Sequence, residues 1–264
     1  IDAGIDWQTC PSPRAAARAS PPDDMDAELE QPIEIAADAA VAEFTTERAV
    51  FRGDVELIQG PLRIDAGEIS LDRQSGEVIA SQGFMVSRPD VRIAGSSATY
   101  HLETGKGTME QAAYRIPAIR ARGEAGHAAF LGAGLSEYRS ISYSTCQPGQ
   151  DDWLLEAEEL RLDTNEGLGT ARHATLRFKG VPLLYLPRAS FPLDDRRKSG
   201  FLFPNIGSSD DDGLDLAVPW YWNIAPNRDA TITPRLISDR GLMMRGEYRY
   251  LEDSSLGVLD VQYL

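Results

Sequence analysis

The sequence predicts an all-β protein in two parts, a β-domain followed by strands of membrane-barrel type. Short segments alternate apolar and polar residues with period two, the mark of strands with one buried face. Glycine and proline interrupt nearly every apolar stretch. No window approaches the roughly 18–20 consecutive apolar residues that a membrane-spanning helix requires, so any crossing of a bilayer has to use strands.

The chain has 264 residues, enough for one sizeable β-domain and part of another. Residues 1–33 read as an acidic tether. Pro11, Pro13, Pro21, Pro22 and Pro32 break regular structure, and the run from Asp23 to Glu30 holds too little apolar content for a core. From Ile33 the alternation begins, in Val55-Glu-Leu-Ile-Gln59, Leu62-Arg-Ile-Asp-Ala66, Val91-Arg-Ile-Ala-Gly95 and Leu160-Arg-Leu-Asp163. A weak repeat runs through this part. An apolar residue is followed two positions later by a small one and then by a polar or small one. It appears at Ile35-Ala-Ala37-Asp38, Ile64-Asp-Ala66-Gly67, Ile93-Ala-Gly95-Ser96, and more loosely at Ala121-Arg-Gly123-Glu124 and Leu155-Glu-Ala157-Glu158. Its starts lie 29, 29, 28 and 34 residues apart. Ordinary β alternation accounts for the strands but not for that spacing; a small residue at the third position suits a tight corner between packed strands.

The character changes at Arg196. Leu214, Leu216, Val218, Trp220, Trp222 and Ile224 alternate with polar or smaller residues, and so do Ala230 to Leu236, Met244 to Tyr250, and Leu259 to Tyr263. Roughly ten-residue strands joined by short turns, apolar and aromatic on one face and charged on the other, describe a barrel with a wet lumen. A soluble sandwich also alternates, but seldom with so many aromatics across consecutive hairpins. Four or five strands cannot close a barrel in lipid, so 196–264 reads as the opening of a longer one. The domain reading is therefore a tether at 1–33, a β-domain at 34–195 and the first barrel strands at 196–264. The chain also opens at Ile1 without an apolar signal region, as expected if a signal peptide has been removed or the sequence begins downstream of one.

The formal net charge of −15 repels nucleic-acid phosphates. It equally disfavours a phosphorylated lipid headgroup, so a lipid ligand is expected to be held by its acyl chains. The residues expected to line such a groove are Val55, Leu57, Ile64, Ile93 and Phe178. Cys10 and Cys146 form no CxxC or Cys/His cluster, and His101, His127 and His173 are scattered, so neither a metal site nor a cofactor is expected. The two cysteines fit a disulfide-permitting compartment; two unpaired thiols are the plainer alternative. Asp210-Asp-Asp-Gly213 lacks the spacing of a calcium loop and reads as a hairpin tip. No acid/base pair or nucleophile elbow asks for catalysis. Two prolines stand in strand-like context, Pro204 and Pro219, where each marks either a weakly paired edge or a bulge.

Several stretches carry a resemblance to a known family. They are Asp194-Asp-Arg-Arg-Lys-Ser-Gly-Phe-Leu-Phe-Pro-Asn205, the run Pro219-Trp-Tyr-Trp-Asn223 through Pro234, and Arg240-Gly241 with Glu247-Tyr-Arg-Tyr-Leu251. Upstream are Thr145-Cys-Gln-Pro-Gly149 with Trp153, Gly180-Val-Pro-Leu-Leu-Tyr-Leu-Pro187, and the repeat itself. On these the chain resembles the LptD (OstA/Imp) family of lipopolysaccharide-assembly outer-membrane proteins, least clearly in the tether.

That resemblance implies a V-shaped, OstA-like periplasmic β-jellyroll that receives the acyl chains of lipopolysaccharide. It also implies a large barrel plugged by the lipoprotein LptE, and LptA as the periplasmic bridge partner. A lateral gate releases the lipid into the outer leaflet, and Pro204 and Pro219 fall on the family's gate prolines. Cys10 and Cys146 match cysteines whose partners lie near the C-terminus of the longer protein. The expected location is the cell outer membrane, with residues 1–195 facing the periplasm, and no enzymatic activity is expected. The alternative is a stand-alone soluble periplasmic jellyroll that carries lipopolysaccharide; the aromatic hairpins after Arg196 distinguish the two.

Overall fold

The computed structural model describes residues 34–43, 47–194, 197–202, 204–209 and 213–264. The expected tether with Cys10 and the acidic tip at 210–212 lie outside the described residues. The first strands are β1 (Glu34–Ala36), β2 (Ala39–Glu43), β3 (Arg48–Gln59), β4 (Leu62–Asp72), β5 (Glu77–Ser87), β6 (Arg92–Gly95) and β7 (Ser97–His101). They are followed by β8 (Lys106–Ile116), β9 (Ala121–Gly132), β10 (Leu135–Tyr143), β11 (Trp153–Asp163), β12 (Leu168–Phe178) and β13 (Val181–Pro192). The second set comprises β14 (Gly200–Phe201), β15 (Asn205–Ser209), β16 (Gly213–Ala217), β17 (Trp220–Ala225), β18 (Arg228–Ile237), β19 (Gly241–Glu252) and β20 (Ser255–Tyr263). The fold is all-β, as expected: a jellyroll-type sheet followed by a second sheet of barrel type.

The first thirteen strands form one antiparallel sheet in the order β1-β3-β4-β5-β6-β8-β9-β10-β11-β12-β13. β2 pairs with β3 beyond β1, and β7 pairs with β5 and β8 beyond β6, so β1/β2 and β6/β7 are single strands broken in the middle. Every lane bends along one shared line. On alternate strands the bend is taken by a non-glycine residue in the left-handed region: Asp54, Gln82, Gln111, Ser140 and His173, with φ of 39, 61, 51, 51 and 50°. A small residue stands across from most of them. An ideal Cβ on Gly67 would lie 2.8 Å from the Gln82 side chain, and one on Gly126 would lie 3.3 Å from that of Ser140. At the third corner Ser96 N–H donates to the Glu110 carbonyl at 3.0 Å, beside Gln111. These corners coincide with the repeat at Ala66-Gly67 and Gly95-Ser96, and fall three residues after Gly123 on β9. The period of about 29 residues is thus the length of two lanes and their corner.

The second sheet runs β14-β17-β18-β16-β15, with β19 on β18 and β20 on β19. β14 and β15 are successive halves of one strand, as are β16 and β17, because β18 pairs with both β16 and β17. Its faces are as alternation predicts. Trp222, Ala230, Tyr248 and Leu259 lie opposite one another on successive strands and form an apolar row. Trp222, Leu259 and Val261 are exposed. The other face carries ion pairs, including Arg235–Asp215 at 2.5 Å and Arg245–Asp260. Among the described residues no helix is long and apolar enough to cross a membrane.

The tightest approach in the first sheet is at Gly123, where a Cβ would come within 1.9 Å of the Ser142 carbonyl oxygen. Backbone on both strands would have to move. Gly123→Ala is expected to lower stability by about 3 kcal/mol or more. Gly149→Ala, at φ 83° with open space around it, is expected to lose only about 1 kcal/mol. Urea unfolding of the two variants checks the difference.

Candidate functional site

Residues directly opposite in an antiparallel pair point to the same face, so the register alone shows what lies side by side. Starting at the β1 edge, Ile35 faces Leu57, Leu57 faces Ile64, Ile64 faces Val86, Val86 faces Ile93, and Ile93 faces Tyr114. Tyr114 in turn faces Gly123. The Arg122–Ser144 bridge then sets Gly123 across from Tyr143. Tyr143 faces Leu155, Leu155 faces Leu176, and Leu176 faces Leu184. One apolar track therefore crosses the whole sheet on its inner face.

The near end of the track rests on a core of Val55, Ala66, Ile69, Ala80 and Phe84, against which Leu57, Ile64, Val86 and Ile93 are half-buried. The far end rests on Cys146, Trp153 and Leu176. Four of the expected groove residues, Val55, Leu57, Ile64 and Ile93, are thus brought together. Phe178 is not with them: it packs at the far end, two residues beyond Leu176 on β12 and opposite Trp153. The five residues lie along one track with two ends, because alternation specifies a face and says nothing of the lane.

Between the two clusters the Tyr114 ring lies over Gly123, and its hydroxyl donates to the Ser142 carbonyl at 2.7 Å. The missing Cβ of Gly123 leaves the ring its room. Burial pushes the Tyr114 phenol far above its ordinary range, and burial pushes Tyr143 up to about 12.

At the far end the track meets the second sheet. Leu216 and Val218 are buried against Cys146, Trp153 and Leu176, with Phe201 and Ile206 packed alongside. The apolar row of β16 and β17, expected to face outward throughout, is therefore covered in its first half, while Trp222 and Ile224 remain exposed. Cys146 is disulfide-bonded, and its sulfur lies 4.0 Å from the Trp153 carbonyl oxygen. Arg197, in the connection between the sheets, reaches Asp229 at 2.5 Å and the Tyr221 hydroxyl at 2.9 Å. Asp229 also accepts from Arg249 at 2.7 Å, so the connection is tied to β17, β18 and β19.

The two expected prolines fall at strand breaks rather than within strands. Pro204 lies between β14 and β15, and Pro219 between β16 and β17. Leu202 N–H donates to the Pro219 carbonyl at 2.9 Å; the reciprocal bond cannot form, since proline has no N–H. Pro234 on β18 repeats the arrangement, accepting from Val218 at 3.0 Å without returning a bond. Pro234 belongs to this set although proline content alone did not single it out; its 15-residue spacing from Pro219, matching that from Pro204 to Pro219, is the signal that could have. Among the described residues, the missing donors of Pro219 and Pro234 lie between the first three strands of the second sheet. His101, His127 and His173 each face a glutamate (Glu77, Glu110 and Glu158) on a neighbouring strand, and no group that could hold a metal is present among the described residues.

Residues 34–168 match the family described as LptA/(LptD N-terminal domain) LPS transport protein, and residues 170–255 match the family described as LptD protein. The chain belongs to the LptD family. It is 40% identical over 235 residues to the LPS-assembly protein LptD of Alkalilimnicola ehrlichii, covering 89% of this chain and 31% of that protein. The corresponding protein of Nitrosococcus oceani is 40% identical over 240 residues, covering 91% of this chain and 32% of its own length. The chain thus spans about a third of the length of these family members. Among solved structures it is similar to LptH, the LptA homologous periplasmic component of the lipopolysaccharide transport device from Pseudomonas aeruginosa. That likeness has a TM-score of 0.35 and 19% identity, and covers 39% of this chain and 78% of LptH.

The buried phenols give this family member a defined alkaline limb. A group whose pKa is raised on folding contributes stability that is complete below its unfolded value, near 10 for tyrosine, and lost as pH rises through the folded value. Stability is expected to fall between about pH 10 and 12, and Tyr143→Phe is expected to make that fall shallower. Denaturant midpoints measured at about pH 8, 10 and 11.5 check it.

Proposed function

We propose that this chain receives lipopolysaccharide on its first sheet and passes it to an outer-membrane barrel that begins with its second. In this reading 1–33 is a tether, 34–195 the periplasmic jellyroll and 196–264 the first strands of the barrel. The observation that carries it is the continuity of the apolar track from Ile35 to the cluster of Cys146, Trp153, Leu176, Leu216 and Val218. Acyl chains moving along the track stay in contact with apolar side chains until they reach the barrel wall. Each methylene kept from water stabilises the bound lipid by about 0.8 kcal/mol, which favours an uninterrupted path over isolated pockets. The exposed aromatic face of the second sheet supports a membrane setting over a soluble carrier.

The partners that follow are lipopolysaccharide itself, LptA docking upstream and LptE within the completed barrel, at the cell outer membrane. The protein acts without catalysis. Cys146, beside the cluster where the sheets meet, is disulfide-bonded there; in this reading pairing of Cys10 and Cys146 each to a cysteine of the longer protein, which fastens the jellyroll beneath the barrel, requires thiol–disulfide exchange of the present bond. Pro204, Pro219 and Pro234 soften the first strands, so that the wall opens sideways to release lipid.

Photocrosslinkers at Leu57, Ile64 and Ile93 in the full-length protein are expected to capture lipopolysaccharide in cells, while the neighbouring outward positions Arg63 and Arg92 are not. Capture confined to the outward positions would remove the track from the pathway.

The gate has its own test. Pro219→Ala with Pro234→Ala restores two possible ladder bonds, each worth about 0.5–1.5 kcal/mol. The expected result is slower delivery and less surface lipopolysaccharide, read by labelling and by sensitivity to bulky antibiotics. Normal delivery in a double variant that assembles fully would leave the prolines as structural breaks alone.

A further inference from the structure

The far end of the apolar track carries a hydrogen-bond donor that finds no acceptor among the described residues, the indole N–H of Trp153. Tyr114, further back on the same face, spends its hydroxyl on the Ser142 carbonyl at 2.7 Å. Trp153 is only 5% exposed, so bulk water does not satisfy its N–H. A buried donor without a partner is costly, and folded proteins keep few of them. The residue is also held against turning toward another acceptor. Its carbonyl accepts from the Ser144 hydroxyl at 2.7 Å, and that hydroxyl accepts in turn from the Cys146 N–H at 3.1 Å. On β11 it is paired with Phe178, and its ring lies 5.7 Å from that of Tyr143, tilted by 49°.

The position of Trp153 decides what chemistry can reach it. It stands two residues before Leu155 on β11, and strand alternation sets both on the inner face. Tyr143 faces Leu155, and both are half-buried where Trp153 is covered, so the approach lies along the track. Cys146, Leu176, Leu216 and Val218 pack in the same cluster. Among hydrocarbon and sulfur, a charged phosphate or a sugar would lose its hydration without return. A neutral oxygen carried in on an apolar chain fits. We propose that the Trp153 N–H is the docking point for the carbonyl at the root of an acyl chain, met where the track reaches the second sheet. The proposal rests on the reading that acyl chains travel the track, and adds the polar atom they carry and the group that recognises it. Apolar side chains grip all methylenes alike and so set no stopping place along the track. A fixed donor does: it halts a chain with its carbonyl end at the seam between the sheets, and its bond is made with cargo rather than within the protein.

Replacing Trp153 with benzothienylalanine in the full-length protein tests this, because a sulfur takes the place of the indole N–H and the shape of the ring is kept. Binding is measured for a synthetic lipopolysaccharide lipid with ester- and amide-linked chains, and for an analogue whose chains are joined through ethers. The unaltered protein is expected to prefer the carbonyl-bearing lipid about five-fold, and the variant to lose that preference. The unfolding midpoint of the variant is expected to be unchanged or raised, since an unpaired donor contributes nothing to the folded state. A lowered midpoint would give the N–H a partner inside the protein, a bound water included, and overturns the proposal. The same preference in both proteins, whether large or absent, overturns it while leaving the acyl track in place. Failure of the unaltered protein to bind either lipid overturns the proposal together with the reading on which it rests.

Discussion

The register of the first sheet is the constraint on which the rest depends. Since opposed residues must share a face, one set of pairings creates the inner track and turns Arg63 and Arg92 to the other face. A slip of one residue would turn Ile64 and Ile93 outward and bring Arg63 and Arg92 into the core. The shared corner line resists such a slip. Gly67 and Gly126 are the residues that fit against Gln82 and Ser140, and a displaced strand would put a larger side chain there. The left-handed residues cost about 1–2 kcal/mol each, which burial along both halves of every lane offsets.

Much of this was legible in the sequence. Period-two alternation identified the strands, and the spacing of Ala37, Ala66 and Gly95 marked where lanes repeat. The lateral arrangement was not legible, because it accumulates over a succession of pairings that joins residues as far apart in the chain as Ile35 and Leu184. Nothing local tells that Phe178 belongs with Trp153 rather than Ile64, or that Gly123 is small to seat the Tyr114 ring. Leu216 and Val218 read as part of an outward apolar row for the same reason: their alternation matches that of Trp222, but the end of the first sheet covers them.

The second sheet divides its stability unevenly. Its later strands, β18 to β20, pair without interruption from Arg228 to Tyr263, while β14 to β17 are broken at prolines. The first strands compensate through contacts out of the plane of the sheet. Asp229 gathers Arg197, Arg249 and Tyr221 at one end, and the Trp153–Leu176 cluster holds Leu216 and Val218. The opening strands thus lack ladder bonds at their prolines and are held instead at these two places.

The same cluster imposes an order on how the chain acquires its shape. Leu216 and Val218 leave water only when β11 and β12 already present Trp153 and Leu176, so the first hairpin of the second sheet gains little by forming early. A chain emerging from its N-terminus first completes the inner face of the first sheet, and only then offers the second a surface on which to settle. Damage at Trp153 or Leu176 would accordingly appear as a fault in the maturation of the strands after Gly200, far along the sequence from the altered residue.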